Sequence, residues 1–229
     1  MNELSLLLLA SNSPRRRQLL ALSGWMFAVD VSDSDESLLP GEPPEAYVRR
    51  LAEVKARAVL ERARPEHIII GADTSVVIDA EILGKPSDAA DANNMLRRLR
   101  GRTHQVYTGI AILRVRDGSA STSSAHRLLT DVCVTDVPMR AYSNDEIDAY
   151  VRSGDPLDKA GAYGIQNPDF QPVAHMDGCY ASVMGLPLCH LTVLLRRMDV
   201  TPHADVARNC QATLAYQCPV FRSILQREN

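Results

Sequence analysis

The sequence predicts an α/β fold, and three observations predict it. Short apolar runs alternate along the chain with segments of helical periodicity. Small polar or glycine-rich stretches follow several of the apolar runs. No internal repeat and no low-complexity linker breaks the alternation. At 229 residues the chain can bury a substantial core, in one domain or in two closely joined lobes.

Leu4 to Ala10 is a short apolar run and reads as a buried strand. Ser13 then offers a helix N-cap, Pro14 suits the first helical position, and Gln18 to Leu22 continues the helix. Phe27 to Val31 is a second strand. Asp33 to Pro44, with Pro40, Pro43 and Pro44, is a loop. Pro44 to Ala63 reads as a helix with Tyr47, Leu51, Val54 and Ala58 on one face. His67 to Ala72 is a buried strand, and Ser75 to Ile78 continues the extended run after Asp73. Ser87 caps a helix to Leu99 that turns Ala89, Ala92, Met95, Leu96 and Leu99 inward. Val106 to Val115 and Leu128 to Val137 form a long hairpin around the polar tip Asp117 to Ala125. Ser143 to Val151 is a short helix with a capping box, Ser143 with Glu146. Asp155 to Gln166 is a glycine-rich loop, Tyr180 to Met184 a short strand, and Leu186 to Met198 a helix. Thr201-Pro202 ends the main fold, so residues 1–200 form the domain and 201–229 an extension. The extension is either an added helix with Val206, Leu214 and Ile224 facing the body, or a frayed tail.

Composition narrows the function. A net charge of -3 gives no basic field for nucleic acid, and three Phe and one Trp offer few bases a stacking surface. The apolar run near the start is too short to span a membrane and lacks the basic leader of a signal peptide. The five cysteines are odd in number and contain no C-x-x-C pair, which argues against a disulfide framework or a zinc site. Reduced thiols and a cytoplasmic location are expected.

The polar groups at the ends of the apolar runs carry the chemistry. Arg15, Arg16 and Arg17 fall in a first helical turn, where the dipole prefers anions. A bound phosphate would relieve that conflict; a solvated basic turn is the alternative. Asp73 follows an Ile-rich strand, the position where α/β proteins place ligands, though an Asp there can also cap a turn. Lys85 in Gly-Lys-Pro can bind phosphate as a point charge, although Pro86 stands where a P-loop needs Ser or Thr. His104 can orient a carboxylate, bind phosphate, or be an ordinary hydrogen-bonded histidine. Asp158, Lys159 and Gln166 sit among glycines that permit close backbone approach. Sorted by role, Arg15, Arg16, Lys55 and Lys85 are cations for phosphate. Glu36, Asp73 and Asp158 are carboxylates for metal or water activation, and Thr74 and Gln166 are neutral groups for a base. Ser11 can donate to phosphate. The set fits phosphoryl chemistry on a nucleotide with a divalent metal.

These residues carry a resemblance. L-A-S-N-S-P-R-R, L-A-E-V-K-A, G-A-D-T, G-K-P, R-T-H-Q-V, D-K-A-G-A-Y-G-I-Q and V-M-G-L-P-L occur in order between residues 4 and 198. In these the chain resembles the Maf-like nucleoside triphosphate pyrophosphatases. The resemblance implies an inosine-triphosphatase-like long twisted mixed sheet with helices, in two lobes around a central cleft. It implies hydrolysis of a nucleoside triphosphate to monophosphate and pyrophosphate with Mg or Mn; the expected ligands of the ion are the phosphates with Asp73, and Glu36 as a further candidate. The catalytic aspartate falls on Asp73 and the specificity positions on Arg15, Thr74 and Gln166, a combination that looks like the dTTP/UTP branch. Modified pyrimidine nucleotides are further candidates. The alternative is a nucleotide-sensing regulator of septum formation with little turnover. The expected partner is the nucleotide, with no nucleic acid and no membrane; a homodimer is allowed. One departure is Asn167 to Gly178, with Pro168, Pro172 and His175 where the family has a short Gly-rich, apolar stretch. It bears on the cleft rim.

Overall fold

The computed structural model describes residues 7–31, 33–64, 67–115 and 126–227. Six strands form one mixed sheet: β1 (Leu7–Leu9), β2 (Phe27–Val29), β3 (Ile68–Ile78), β4 (Glu81–Leu83), β5 (Thr103–Val115) and β6 (His126–Pro138). The order is β2-β1-β3-β5-β6, with β4 also on β3. The tip of the β5–β6 hairpin, Asp117 to Ala125, lies outside the described residues, as do Leu4 to Leu6.

The register of β3 positions the site. On one edge β5 pairs antiparallel along nearly its whole length, from Ile68↔Arg114 to Val77↔Gln105. The other edge is shared. β1 pairs parallel with Ile68–Ile70, and β4 folds back antiparallel on Val76–Ile78. Gly71 to Ser75 lie between these two partners, and the loops leaving β1 and β4 flank the opening. The two expected runs His67–Ala72 and Ser75–Ile78 are thus one strand, with Asp73 and Thr74 inside it.

The two sheet faces are covered differently. Ile68, Ile70, Ala72, Val76 and Ile78 face the main core with α1 (Pro14–Ala21), α3 (Ala89–Leu99), α4 (Asn144–Arg152) and α6 (Leu188–Arg196). The opposite face packs on α2 (Pro44–Arg57) through Ile69, Ala52 and Ala56. α2 lies very close to the strands. A Cβ on Gly71 would stand 2.0 Å from the Ala52 carbonyl oxygen, and one on Gly109 2.3 Å from that of Val48. The buried face of α2 is therefore Val48, Leu51, Ala52 and Ala56, rotated from the expected Tyr47, Leu51, Val54 and Ala58. The helix turns its small residues to the two glycines. It also ends earlier than expected, at Arg57, before a 3-10 turn over Leu60–Arg62.

Three further expectations change. Asp88, not Ser87, caps α3: its side chain accepts from the Asp91 N–H at 2.8 Å, and Ala89, now the first helical residue, is exposed. Tyr180 to Met184 is not a strand but a helical turn, α5 (Tyr180–Val183), with Gly185 at φ +108 behind it. A short apolar run does not distinguish the two by pattern, and here it packs on the faces of β5 and β6 rather than along an edge. The extension forms two helices, α7 (Val206–Thr213) and α8 (Phe221–Leu225). Val206 and Ile224 are buried, and Leu214 is half-buried. Trp25 Nε1 donates to the Thr201 carbonyl at 2.9 Å, and Tyr216 Oη to that of Gly178 at 2.8 Å. Asn167 to Gly178 packs on the end of β6 and on α4, with Phe170 stacked on Tyr150 at 4.2 Å.

Candidate active site

A cleft of about 760 Å³ opens at the unpaired stretch of β3. Ser11, Arg15, Arg16, Glu36, Lys55, Asp73, Thr74, Lys85, Asp158, Lys159 and Gln166 all line it. The cleft also reaches Val183, Met184 and Gly185, the start of the V-M-G-L-P-L motif, beyond Gln166, the last residue singled out for the site.

Side chains alternate along β3, so Asp73 and Thr74 serve opposite faces. Asp73 points to α2. Lys55 Nζ lies 2.6 Å from Asp73 Oδ1 and 2.9 Å from Glu36 Oε1, so one ammonium joins a buried carboxylate to an exposed one. The close seat of α2 on Gly71 and Gly109 puts Lys55 within this reach. Glu36 sits in the loop before α2, and the helix holds that loop. Tyr47 Oη donates to the Glu36 carbonyl at 2.9 Å, and Arg50 Nη2 to the Ser37 carbonyl at 2.9 Å.

Thr74 faces the other way, toward α1 and α5. Ser13 caps α1 as expected, its Oγ accepting from the Arg16 N–H at 3.4 Å. The Arg16 guanidinium turns inward, donating to the Gly185 carbonyl at 2.8 Å, Ser11 Oγ at 3.0 Å and Thr74 Oγ1 at 3.2 Å. Burial lowers its pKa from the usual arginine value, and the charge of Asp73 opposes that shift. Arg16 thus ties together three walls of the cleft. Arg15, Lys85 and Gln166 differ: among the described residues none has a hydrogen-bond or ion-pair partner. They are the groups left for a ligand. Lys159 is held by Asp155 Oδ1 at 3.0 Å and Asp158 Oδ1 at 2.7 Å.

His104 does not line the cleft. It is buried, with Nε2 at 2.8 Å from Tyr163 Oη, and burial pulls its pKa down to about 4. Its Nδ1 is buried with no hydrogen-bond partner among the described residues, and its link to the site runs through Tyr163, which does line the cleft.

Residues 6–198 match the family model for Maf-like proteins. The chain belongs to the Maf-like family. The dTTP/UTP pyrophosphatase of Anaeromyxobacter dehalogenans (strain 2CP-C) is 46% identical over 191 residues, 83% of this chain and 93% of that one. The dTTP/UTP pyrophosphatase of Myxococcus xanthus (strain DK1622) is 47% identical over 193 residues, 84% of this chain and 92% of that one. Among solved structures, a nucleoside-triphosphatase / dITP/XTP pyrophosphatase from Mycobacterium abscessus gives a TM-score of 0.36 at 17% identity. That match covers 60% of this chain and 75% of that one, a likeness too loose to carry a functional argument.

The Maf-like match ends at Met198, so α7 and α8 lie outside it. Two polar residues that shape the Maf-like cleft escape a reading of the sequence: Tyr47, which lines it, and Thr108, which is buried behind Thr74. Tyr47 shows helical spacing and passes for a core residue. Thr108 lies in the middle of a strand and meets Thr74 only through register. A Thr opposite a Thr is a cross-strand signal, legible once the pairing is known.

Proposed function

We propose that this Maf-like protein hydrolyses dTTP and UTP to the monophosphate and pyrophosphate. The observation that carries this reading is the Lys55-bound Asp73 carboxylate in a cleft also lined by Arg15 and Lys85, which have no hydrogen-bond or ion-pair partner among the described residues. The names of the relatives, dTTP/UTP pyrophosphatase at 46% and 47% identity, support the substrate. The triphosphate docks its charge on Arg15, Lys85 and the start of α1. Lys55 engages Asp73 Oδ1, which leaves Oδ2 to take a proton from a water. The water oxygen bonds to the α-phosphorus, and the bond from that phosphorus to the α–β bridging oxygen breaks. Pyrophosphate leaves, and the proton passes from Asp73 to solvent. General-base assistance of this kind is worth ~10²–10⁴-fold.

The donor set fits a divalent cation of the Mg or Mn class. Asp73 and Glu36 converge on one positive charge, and Mg is commonly held by one or two carboxylates plus substrate phosphates. Among the described residues no cluster of three or more His, Cys, Asp or Glu forms a metal cage; Asp73 and Glu36 would hold the ion together with the substrate phosphates. Bound there, the cation would neutralise charge developing on the phosphate oxygens. A free nucleotide pool as substrate source supports a cytoplasmic location.

Pyrophosphate release measured on dTTP, UTP, CTP and GTP tests the reading. Turnover of dTTP and UTP above the purine nucleotide is expected, abolished by EDTA and restored by Mg or Mn. Stoichiometric binding without pyrophosphate release would instead indicate a sensor. A preference for GTP would remove the pyrimidine assignment.

A further inference from the structure

We propose that Thr108 is a positioning residue that locks Thr74 as a pure hydrogen-bond acceptor toward the cleft. Thr74 thereby selects pyrimidines that carry a proton on N3, uracil and thymine, over cytosine. This takes the pyrimidine triphosphate reading of the cleft as given.

Three contacts fix the protons. Thr108 Oγ1 donates to the Ser182 carbonyl at 2.8 Å, and a carbonyl can only accept. The Thr74 and Thr108 hydroxyl oxygens lie 3.0 Å apart. Arg16 Nη2 donates to Thr74 Oγ1 at 3.2 Å, and a guanidinium cannot accept. A hydroxyl has one proton and two lone pairs. Thr108 has committed its proton to Ser182, so the proton between the two threonines belongs to Thr74. Thr74 has then used its proton on Thr108 and one lone pair on Arg16. One lone pair remains. Thr108 is fully buried, so no water competes for this arrangement, while Thr74 is partly exposed on the cleft.

That lone pair can meet only a donor. Phosphate oxygens and the carbonyl oxygens of a base carry no proton and are disfavoured beside it. Uracil and thymine present N3–H; cytosine presents a bare N3, and two lone pairs then face each other. Arg16 is itself held by Ser11 and Gly185, so the Thr74 oxygen is restrained on both sides and cannot step aside to reach another group. The ribose hydroxyls are further donors, but UTP and CTP share them, so they give no discrimination; the cytosine 4-amino group lies one ring position from N3 and meets this lone pair only if the base shifts from the place where uracil presents N3–H.

The test compares kcat/KM for UTP and CTP in wild type, Thr108→Val and Thr108→Ser. Valine keeps the shape and removes the hydroxyl, so the Thr74 proton is free to turn to the cleft and donate to the cytosine N3. The UTP:CTP ratio should fall ~10-fold or more in Thr108→Val, through a lower KM for CTP, because matched hydrogen bonding sets such ratios. Thr108→Ser retains the proton chain and should retain the ratio. An unchanged ratio in a folded Thr108→Val protein, or an equal fall in Thr108→Ser, would overturn the proposal. If the valine variant does not fold, Thr74→Val serves: it should lower kcat/KM for UTP and spare that for CTP, and an equal loss on both refutes the proposal. A wild-type protein that releases no pyrophosphate from UTP strikes the hydrolysis reading instead. Equilibrium binding of UTP against CTP to the same variants then decides the selectivity.

Discussion

The two faces of β3 use side-chain size in opposite ways. Toward α2 the positions beside Asp73 are small: Gly71 in the same strand and Gly109 directly across in β5. Toward the main core they are mostly large, with Ile68, Ile70, Val76 and Ile78 along the strand and only Ala72 small beside Thr74. Small residues let a helix approach until its lysine meets the carboxylate at 2.6 Å. Large residues bury a hydroxyl pair so that its proton direction is set. One face is built to bring a charge close, the other to hold a neutral group still. The lesson is that adjacent residues of one strand can be given to proton transfer and to recognition because each inherits the packing of its own face.

Removing the carboxylate gives the largest effect. Asp73→Asn keeps size and burial but cannot take the water proton, so turnover should fall by ~10²–10⁴-fold. Binding of the nucleotide, measured separately by calorimetry, should survive. Wild-type turnover in this variant would take Asp73 out of the chemistry and leave the α2 face a structural device.

Packing on that face is the next lever. Gly71→Ala puts a Cβ 2.0 Å from a backbone oxygen of α2, so the helix itself must move. Overpacking of this kind costs ~1–3 kcal/mol, and misplacement of a catalytic group by 1 Å can cost ~10²-fold in rate. Both denaturant midpoint and kcat should fall. Ile70→Val, the neighbour facing the main core, should cost ~0.5–1.5 kcal/mol and leave kcat nearly unchanged. Equal effects on kcat from the two variants would mean that the faces are not divided as described.

Much of this was legible in the sequence, for identifiable reasons. Strands and helices declared themselves where the pattern was long or the cap chemistry strong: the Ile-rich run before Asp73, Ser13-Pro14, and the capping box of Ser143 and Glu146. The polar residues singled out for phosphate and base, Arg17 and His104 apart, line one cleft. What escaped depends on distant partners. The rotation of α2 is dictated by Gly71 and Gly109, which no pattern inside the helix reveals. Tyr180 to Met184 is too short for periodicity to choose between strand and helix, and Gly185 and the faces of β5 and β6 decide it. Thr108 required the register of two strands, and the inward turn of Arg16 required Gly185, far away in sequence.

The smallest effect expected separates the faces by pH. His104 lies on the same face of β5 as Thr108, in the main core, and burial holds its pKa at about 4, opposed only by the charge of Asp136. The unfolded chain titrates near 6.5. Between these values the unfolded state binds a proton that the native state refuses, so stability falls as pH falls from 6.5 toward 4. The full penalty is about 3 kcal/mol, and about 2 kcal/mol of it is present at pH 5. His190 works in the other direction. Burial alone would lower its pKa, but its 2.7 Å bond to Asp131 and the neighbouring Cys133 outweigh that and raise it to about 9. Its stabilisation is complete below pH 6.5 and fades as pH rises through 9, so between pH 7 and 5 it grows by roughly 1 kcal/mol and partly offsets the His104 loss. The acid limb between those values should therefore belong largely to His104. His104→Gln keeps a hydrogen-bonding group near Tyr163 and has nothing to titrate. Urea midpoints at pH 7 and pH 5 should drop clearly for wild type and much less for His104→Gln. The same drop in both proteins would place the acid sensitivity elsewhere.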